Sequence, residues 1–370
     1  MPNMDIVFIG KYCQRGIIPG PEKVAKRIFS EYTINNQSIF IEYFFDGKVY
    51  SVFKKLFGKE ESKNEKNAVI LRLGLIRIFF LLLKINPRII HIITFERFAL
   101  IAFAAKIFIQ SKIFYSVHGI IIHENKYFRK IKWYYNLKDK ITEDIFIKYS
   151  DALLVLSNNL CNLMLSYYQV NKKRIYFVKN GIDEAFKRNI EITKQINNIL
   201  KIVYISDIRR VEKGFSFLKE TLELLDTEVE LYIIDSIYKK SESIFKNKNI
   251  NTFCFDKMDP DSLSEFIRDK DVFILASLYE PFSISTVECM SAGLIPIVTE
   301  ETGASELIEN GKNGFIIKYG DSEKLISILM YLIANTKERK NISIETSKIY
   351  TKLAWGSIIN SYKQIYKTFL

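Results

Sequence analysis

Cysteine is scarce and unpaired in this 370-residue chain: Cys13, Cys161, Cys254 and Cys289 are scattered with no C-x-x-C spacing. That excludes a disulfide framework and a cysteine zinc site, and points to a reducing cytoplasm. The three histidines, His91, His118 and His123, form no metal-ligand pattern, so neither a metal nor another cofactor is expected. No G-x-G-x-x-G follows a strand-like run, which argues against a nicotinamide or flavin dinucleotide site. Tandem repeats and Pro/Gly/Ser-rich tracts are also missing, so a solenoid or a long disordered linker is not expected. Long apolar runs are absent too. Residues 75–83, broken by Arg77, and 98–105, ended by Lys106, are too short to cross a bilayer. Residues 1–10 carry Asp5 inside the apolar run and lack a basic leader and cleavage site, so they read as a first buried strand rather than a secretory signal.

What is present is the composition of a globular protein, 48% hydrophobic and 26% charged, in a chain long enough for two cores. Short β-branched runs alternate with longer helix-period segments, the pattern of α/β domains built on parallel sheets. Strands are predicted at 6–9, 39–45, 89–94, 113–118, 152–156 and 175–178, then at 202–205, 230–234, 252–255, 272–275, 295–298 and 315–317. Two Rossmann-like sheets result. The break falls near Asn180-Gly181-Ile182-Asp183, followed by a polar stretch to Asn198. The expected division is an N-terminal domain over 1–184, a C-terminal domain over 185–350 and a last helix over 351–370 that packs back towards the N-terminal domain, with Trp355 as its anchor.

The net charge of +12 is one-sided: residues 1–184 hold 29 Lys and Arg against 16 Asp and Glu, whereas residues 185–370 hold 25 against 26. A basic first half suits a polyanionic partner, either an anionic membrane face, a phosphorylated glycolipid or nucleic acid, or it simply solvates a surface. Within it, residues 126–140 interleave Lys126, Arg129, Lys130, Lys132, Lys138 and Lys140 with Tyr127, Phe128, Trp133, Tyr134 and Tyr135. Basic residues among aromatics suit a membrane interface, single-stranded nucleic acid, or a helix with one core face and one solvated face.

The chemistry-bearing segment runs over residues 279–314, YEPFSISTVECMSAGLIPIVTEETGASELIENGKNG, just after a buried strand. A helix opening after Pro281-Phe282-Ser283 would aim the backbone amides near Ser283 to Thr286 outward, where a diphosphate binds. Glu288, one turn further in, can accept hydrogen bonds from ribose hydroxyls. Glu280, before the turn, can take hydroxyls of a sugar beyond the phosphates. A second loop, Ser206-Asp207-Ile208-Arg209-Arg210-Val211-Glu212-Lys213-Gly214, follows the first strand of the second half and would bring cations to the same crevice. As a plainer alternative, the two glutamates sit on an ordinary amphipathic helix and the cations on a solvated loop.

Taken together these motifs resemble the retaining GT-B glycosyltransferases of the large Glu-x7-Glu family, the group 1 or family 4 type. The resemblance extends through Ala292-Gly293-x-x-Pro296, the Thr302-Gly303-Ala304-Ser305-Glu306 loop and the Asn310-Gly311-x-x-Gly314 turn. It implies a GT-B fold of two Rossmann-like domains facing across a cleft. It implies transfer of a sugar from a nucleoside-diphosphate donor, UDP or GDP above all, to a glycan or lipid-linked acceptor, with retention and without a metal. Lipopolysaccharide, capsule or another surface polysaccharide is the expected product. Glu280 would orient the donor sugar, and Glu288 would hold the ribose. Ser283, where the family usually has glycine, Ile284, Ser285 and Gly303 would line the donor site. Lys213 would neutralise the diphosphate; the family's arginine position holds Ile208, so Arg209 is the substitute and Arg210 the reserve. His118 would touch the donor sugar, while His91 and His123 are expected to be structural or surface residues. Gly16 and Gly20 would form the acceptor loop. The location implied is the cytoplasm or the inner membrane face, with no nucleic-acid partner. The rival reading is a basic nucleic-acid or membrane binding module carrying a catalytically silent GT-B domain.

Overall fold

The computed structural model describes residues 4–12, 20–43, 52–65, 68–188, 199–234 and 244–370. The chain divides into two compact units, Met1–Lys179 with Trp355–Leu370, and Asn180–Ala354.

The first unit holds β1 (Ile6–Ile9), β2 (Ser38–Tyr43), β3 (Lys59–Glu65), β4 (Ala68–Leu73), β5 (Ile89–Ile92), β6 (Lys112–Val117), β7 (Ala152–Val155) and β8 (Ile175–Phe177). Their spatial order is β3-β4-β2-β1-β5-β6-β7-β8. The second unit holds β9 (Leu200–Ile205), β10 (Val229–Ile234), β11 (Ile250–Phe255), β12 (Val272–Leu275), β13 (Ile295–Thr299) and β14 (Phe315–Ile317), in the order β11-β10-β9-β12-β13-β14. Both are Rossmann-like sheets. β1, β5, β7, β12 and β13 are buried along their whole length, because helices cover both faces of a parallel sheet and leave no solvent side for polar residues.

Each of the twelve strand runs expected from sequence contains a strand, residues 44–45 of the run 39–45 lying outside the described residues. The β3–β4 hairpin was not expected. β3 is antiparallel to β4 at the edge of the sheet, and its sequence, KEESKNE, has no apolar residue. An edge strand with a single partner needs only backbone pairing, so a charged run serves there, and composition carries no sign of it.

Helix Trp355–Lys367 packs against helix Gly20–Thr33 within the first unit and buries Ile358, Ile359, Tyr362 and Tyr366. The Tyr366 hydroxyl lies 2.7 Å from Nδ1 of His91, whose Nε2 lies 2.8 Å from the Ser116 hydroxyl. Burial, reinforced by the nearby His118, lowers the His91 pKa to about 3, so a neutral imidazole joins the last helix to β5 and β6. Tyr366→Phe should therefore strand one buried ring nitrogen and lower stability by about 1–3 kcal/mol, read as a lower urea midpoint at unchanged slope.

Candidate active site

In an open parallel sheet the connections diverge at one point, and the crevice beyond the carboxyl ends of the strands there is where ligands bind. In the second unit that point lies between β9, which connects onward to β10, and β12, which connects onward to β13 on the opposite side. The loop carrying Lys213 follows β9, and the loop carrying Glu280 follows β12.

The two side chains meet. Lys213 Nζ donates to Glu280 Oε2, and the side chains are only 12% and 15% exposed. The other carboxylate oxygen of Glu280 accepts the backbone N–H of Ser283 at 3.1 Å. Its main chain is tied as well: the Gly303 N–H donates to the Glu280 carbonyl at 2.8 Å, and the Glu280 N–H to the carbonyl of Glu301 at 3.3 Å. Burial pushes the Glu280 carboxyl up, but the Lys213 charge and hydrogen bond, the Phe282 amide and the Arg210 charge outweigh it and hold it below the usual carboxylate range. It is ionised and fixed. A lysine ammonium has three donors, so Lys213 keeps two for a ligand oxygen after serving Glu280.

Gly214 explains the position of Lys213. Its φ is +69°, and a Cβ there would stand 1.6 Å from the Ala276 carbonyl oxygen at the end of β12. Only glycine lets the β9 loop pass so close to β12.

Helix Ile284–Ser291 begins at the mouth of the same crevice, capped by the Ser283 hydroxyl, which accepts the Thr286 N–H at 3.2 Å and the Thr286 hydroxyl at 2.7 Å. The first-turn amides of Ile284 and Ser285 have no partner within the helix and face the positive end of its dipole. Ser283 itself is at φ +73°. That accounts for glycine being usual here: a β-carbon in the left-handed region costs on the order of 1 kcal/mol, which the hydroxyl cap offsets. Ser283→Gly should accordingly be as stable as the wild type or slightly more so. Ser283→Ala, which keeps the strain and loses the cap, should lose about 1–2 kcal/mol in denaturant melts. Glu288, in the second turn, is buried.

The two arginines of the loop differ. Arg209 folds back on Asp207, with Nε at 2.9 Å and an Nη at 2.6 Å from its oxygens. Arg210 pairs with Glu212, Nε to Oε1 at 2.7 Å, and its charge is felt by Glu280. The structure thus brings together Lys213, Glu280, Ser283, Gly303 and Arg210, while the Arg209 guanidinium points to Asp207.

In the first unit, His118 follows β6. Burial lowers its pKa to about 4 against a hydrogen bond to the Ile93 backbone, and its Nε2 is buried with no partner among the described residues. Sequence reasoning missed the residue that holds its loop. Glu143 is fully buried and accepts the N–H of Ile121 at 2.6 Å, the N–H of Ile122 at 3.0 Å and the Tyr168 hydroxyl at 2.9 Å. Burial pushes its carboxyl up to about 7 despite those donors. The readable signal was a glutamate on the same helical face as the buried Phe146 and Ile147, three and four residues on. Gly20 opens helix Gly20–Thr33; Gly16 lies outside the described residues, as does Cys13. His91 is structural, and His123 sits 3.0 Å from the Tyr167 hydroxyl at the helix Ile121–Tyr127.

Comparison with known proteins identifies the family. Residues 186–348 match the family Glycosyl transferases group 1, and residues 60–186 match Glycosyltransferase Family 4. An uncharacterized 41.2 kDa protein in the cps region of Klebsiella pneumoniae is 24% identical over 226 residues, 56% of this chain and 62% of that protein, so the matched stretch spans less than two thirds of that relative. The capsular polysaccharide biosynthesis glycosyltransferase CapM of Staphylococcus aureus is 26% identical over 274 residues, 69% of this chain and 70% of CapM. Among solved structures, Anabaena Alr3699/HepE in complex with UDP-glucose superposes with a TM-score of 0.71 over 99% of this chain and 100% of that one, at 16% identity. With two Rossmann-like sheets and matches to both families that between them span residues 60–348, the chain belongs to the glycosyltransferases of the group 1 and family 4 type.

Proposed function

We propose that this protein transfers a sugar from a nucleoside-diphosphate donor to a hydroxyl of a glycan or lipid-linked acceptor, with retention of anomeric configuration and without a metal ion. The observation that carries the reading is the Lys213–Glu280 pair at the β9/β12 divergence, beside the first-turn amides of Ile284 and Ser285, which have no partner within their helix. A departing diphosphate needs positive charge fixed in place before the bond breaks. Lys213, Arg210 and the helix amides supply it, which is the part a divalent cation plays at other diphosphate sites. Glu280, held ionised, accepts hydroxyls of the donor sugar and fixes the anomeric carbon; Glu288 accepts the ribose hydroxyls. His118 accepts a sugar hydroxyl at Nε2. The leaving phosphate takes the acceptor proton as the acceptor oxygen bonds to the anomeric carbon. The acceptor belongs to the first unit.

Capsule or another surface polysaccharide is the setting we favour, supported by the printed names of CapM and of the cps-region protein, and HepE in complex with UDP-glucose supports a uridine donor. UDP, GDP, ADP and CMP tested by melting temperature decide the base: a nucleotide at a hundred times its Kd stabilises by about 2.7 kcal/mol, a shift of several degrees. No shift with any of them would remove the donor site.

Attachment to an anionic membrane face is the second part of the proposal. Tyr127, Ile131, Trp133, Tyr135, Leu137 and Ile141 are exposed, Trp133 by 76%, among the lysines of the same stretch. No helix among the described residues is long and apolar enough to cross a membrane. Exposed aromatics with basic neighbours suit the headgroup layer. Flotation with vesicles containing phosphatidylglycerol, lost with phosphatidylcholine alone, is expected; no flotation with either overturns it.

A further inference from the structure

The first sheet has its own point of divergence, between β1, which connects onward to β2, and β5, which connects onward to β6. Beyond it the ends of β1, β5 and β6 lie side by side, and the ionisable residues that follow them are Lys11, Glu96 and His118. The strand ends are locked together. The Ile93 N–H donates to the Ile9 carbonyl at 2.9 Å, and the Lys11 N–H to the Thr94 hydroxyl at 2.8 Å. A Cβ on Gly10 would stand 2.8 Å from that hydroxyl, so glycine is what admits the contact.

The charged groups around Glu96 are already committed. Glu42, on β2, accepts the Tyr12 N–H at 2.9 Å and an Arg72 Nη at 3.2 Å. Glu22, on helix Gly20–Thr33, lies 3.5 Å from the Lys11 ammonium, and Arg97 lies 2.9 Å from Asp139. Glu96 alone of these carboxylates has no hydrogen bond or ion pair among the described residues, although it is half-buried. Burial pushes its carboxyl up to about 7, with Glu22 and Glu42 adding to the rise and Lys11 and Arg97 opposing it. A shielded carboxylate without a donor is costly, and a ligand that brings one removes the cost. With two cations already flanking it, the fitting donor is a neutral hydroxyl.

We infer that Glu96 is an acceptor-binding residue, accepting a hydrogen bond from a hydroxyl of a neutral sugar at the ends of β1 and β5. This rests on the proposed assignment of the acceptor to the first unit. The side chain must be ionised to accept from both lone-pair directions, so acceptor binding strengthens as pH rises through about 7. The test uses octyl glucoside, octyl galactoside and octyl N-acetylglucosaminide as acceptors, with product formation and donor cleavage measured in parallel. Glu96→Ala should raise the acceptor KM tenfold or more, far beyond its effect on the donor KM. Glu96→Gln should abolish the improvement between pH 6 and 8. An acceptor KM within twofold of wild type in Glu96→Ala, a pH dependence that persists in Glu96→Gln, or donor cleavage with no transfer to any of these glycosides would overturn the inference. Failure of the wild type to cleave any donor counts against the donor reading instead.

Discussion

Lys213→Ala is expected to lower turnover of the nucleotide sugar by a factor of about 10²–10³, the usual loss when one preorganised group that stabilises developing charge is removed. The effect should fall on kcat as well as on donor KM, because in the proposed reaction Lys213 neutralises the diphosphate and in the structure it fixes Glu280. A stability signature accompanies it. In the wild type the Glu280 carboxyl is held below its ordinary value of 4.5, so its contribution is fully present above that pH and is lost as pH falls below it. Without Lys213 the largest remaining influence is burial, which reverses the sign: the variant then prefers the protonated carboxyl. Its deficit, up to about 3 kcal/mol at pH 7, should shrink on acidification towards pH 4, as measured by denaturant melts at the two values. A variant that turns over normally and melts like the wild type at both would show that the pair serves neither purpose.

Gly214→Ala should be among the most damaging single methyl groups the chain can receive. The added carbon would stand 1.6 Å from a backbone oxygen of the β12 end, which has no flexible side chain to yield, and the residue would keep a left-handed φ. Strain and displacement together should cost on the order of 3 kcal/mol or more. Because the loop that must move carries Lys213, nucleotide-dependent stabilisation should disappear even where the protein remains folded. Gly311→Ala is the comparison: φ is +79° there, but nothing lies within 4 Å of the added carbon. It should cost about 1 kcal/mol from backbone conformation alone and leave donor binding intact. Equal losses in the two variants would mean that the close approach of the β9 loop to β12 is unimportant.

The parts of this molecule that were legible in the sequence are those where one physical demand sets the residue type. Strands covered on both faces must be apolar throughout, so β1, β5, β12 and β13 announced themselves. Glu280 and Glu288 stand out because glutamates at the carboxyl edge of a buried strand and inside the following helix are expensive without a purpose. What could not be read depends on which of several equivalent partners a side chain chooses. Arg209 and Arg210 are adjacent and chemically identical, and only the positions of Asp207 and Glu212 turn one back and leave the other's charge on Glu280. Ser283 stands where the family usually has glycine; its left-handed backbone and capping hydroxyl make it a workable replacement. Glu96 and Glu143 carried no motif, since the shielding that distinguishes them comes from elements distant in the chain.

The most direct test of the central claim is release of free nucleotide from a panel of UDP-, GDP-, ADP- and CMP-sugars by the purified protein, with Lys213→Ala and Glu280→Gln as controls. The account predicts cleavage of one class of donor, slow without acceptor and faster with a glycoside present, and reduced at least a hundredfold in both variants. Cleavage that survives in both variants, or a wild type that neither cleaves nor binds any of these donors, would contradict it.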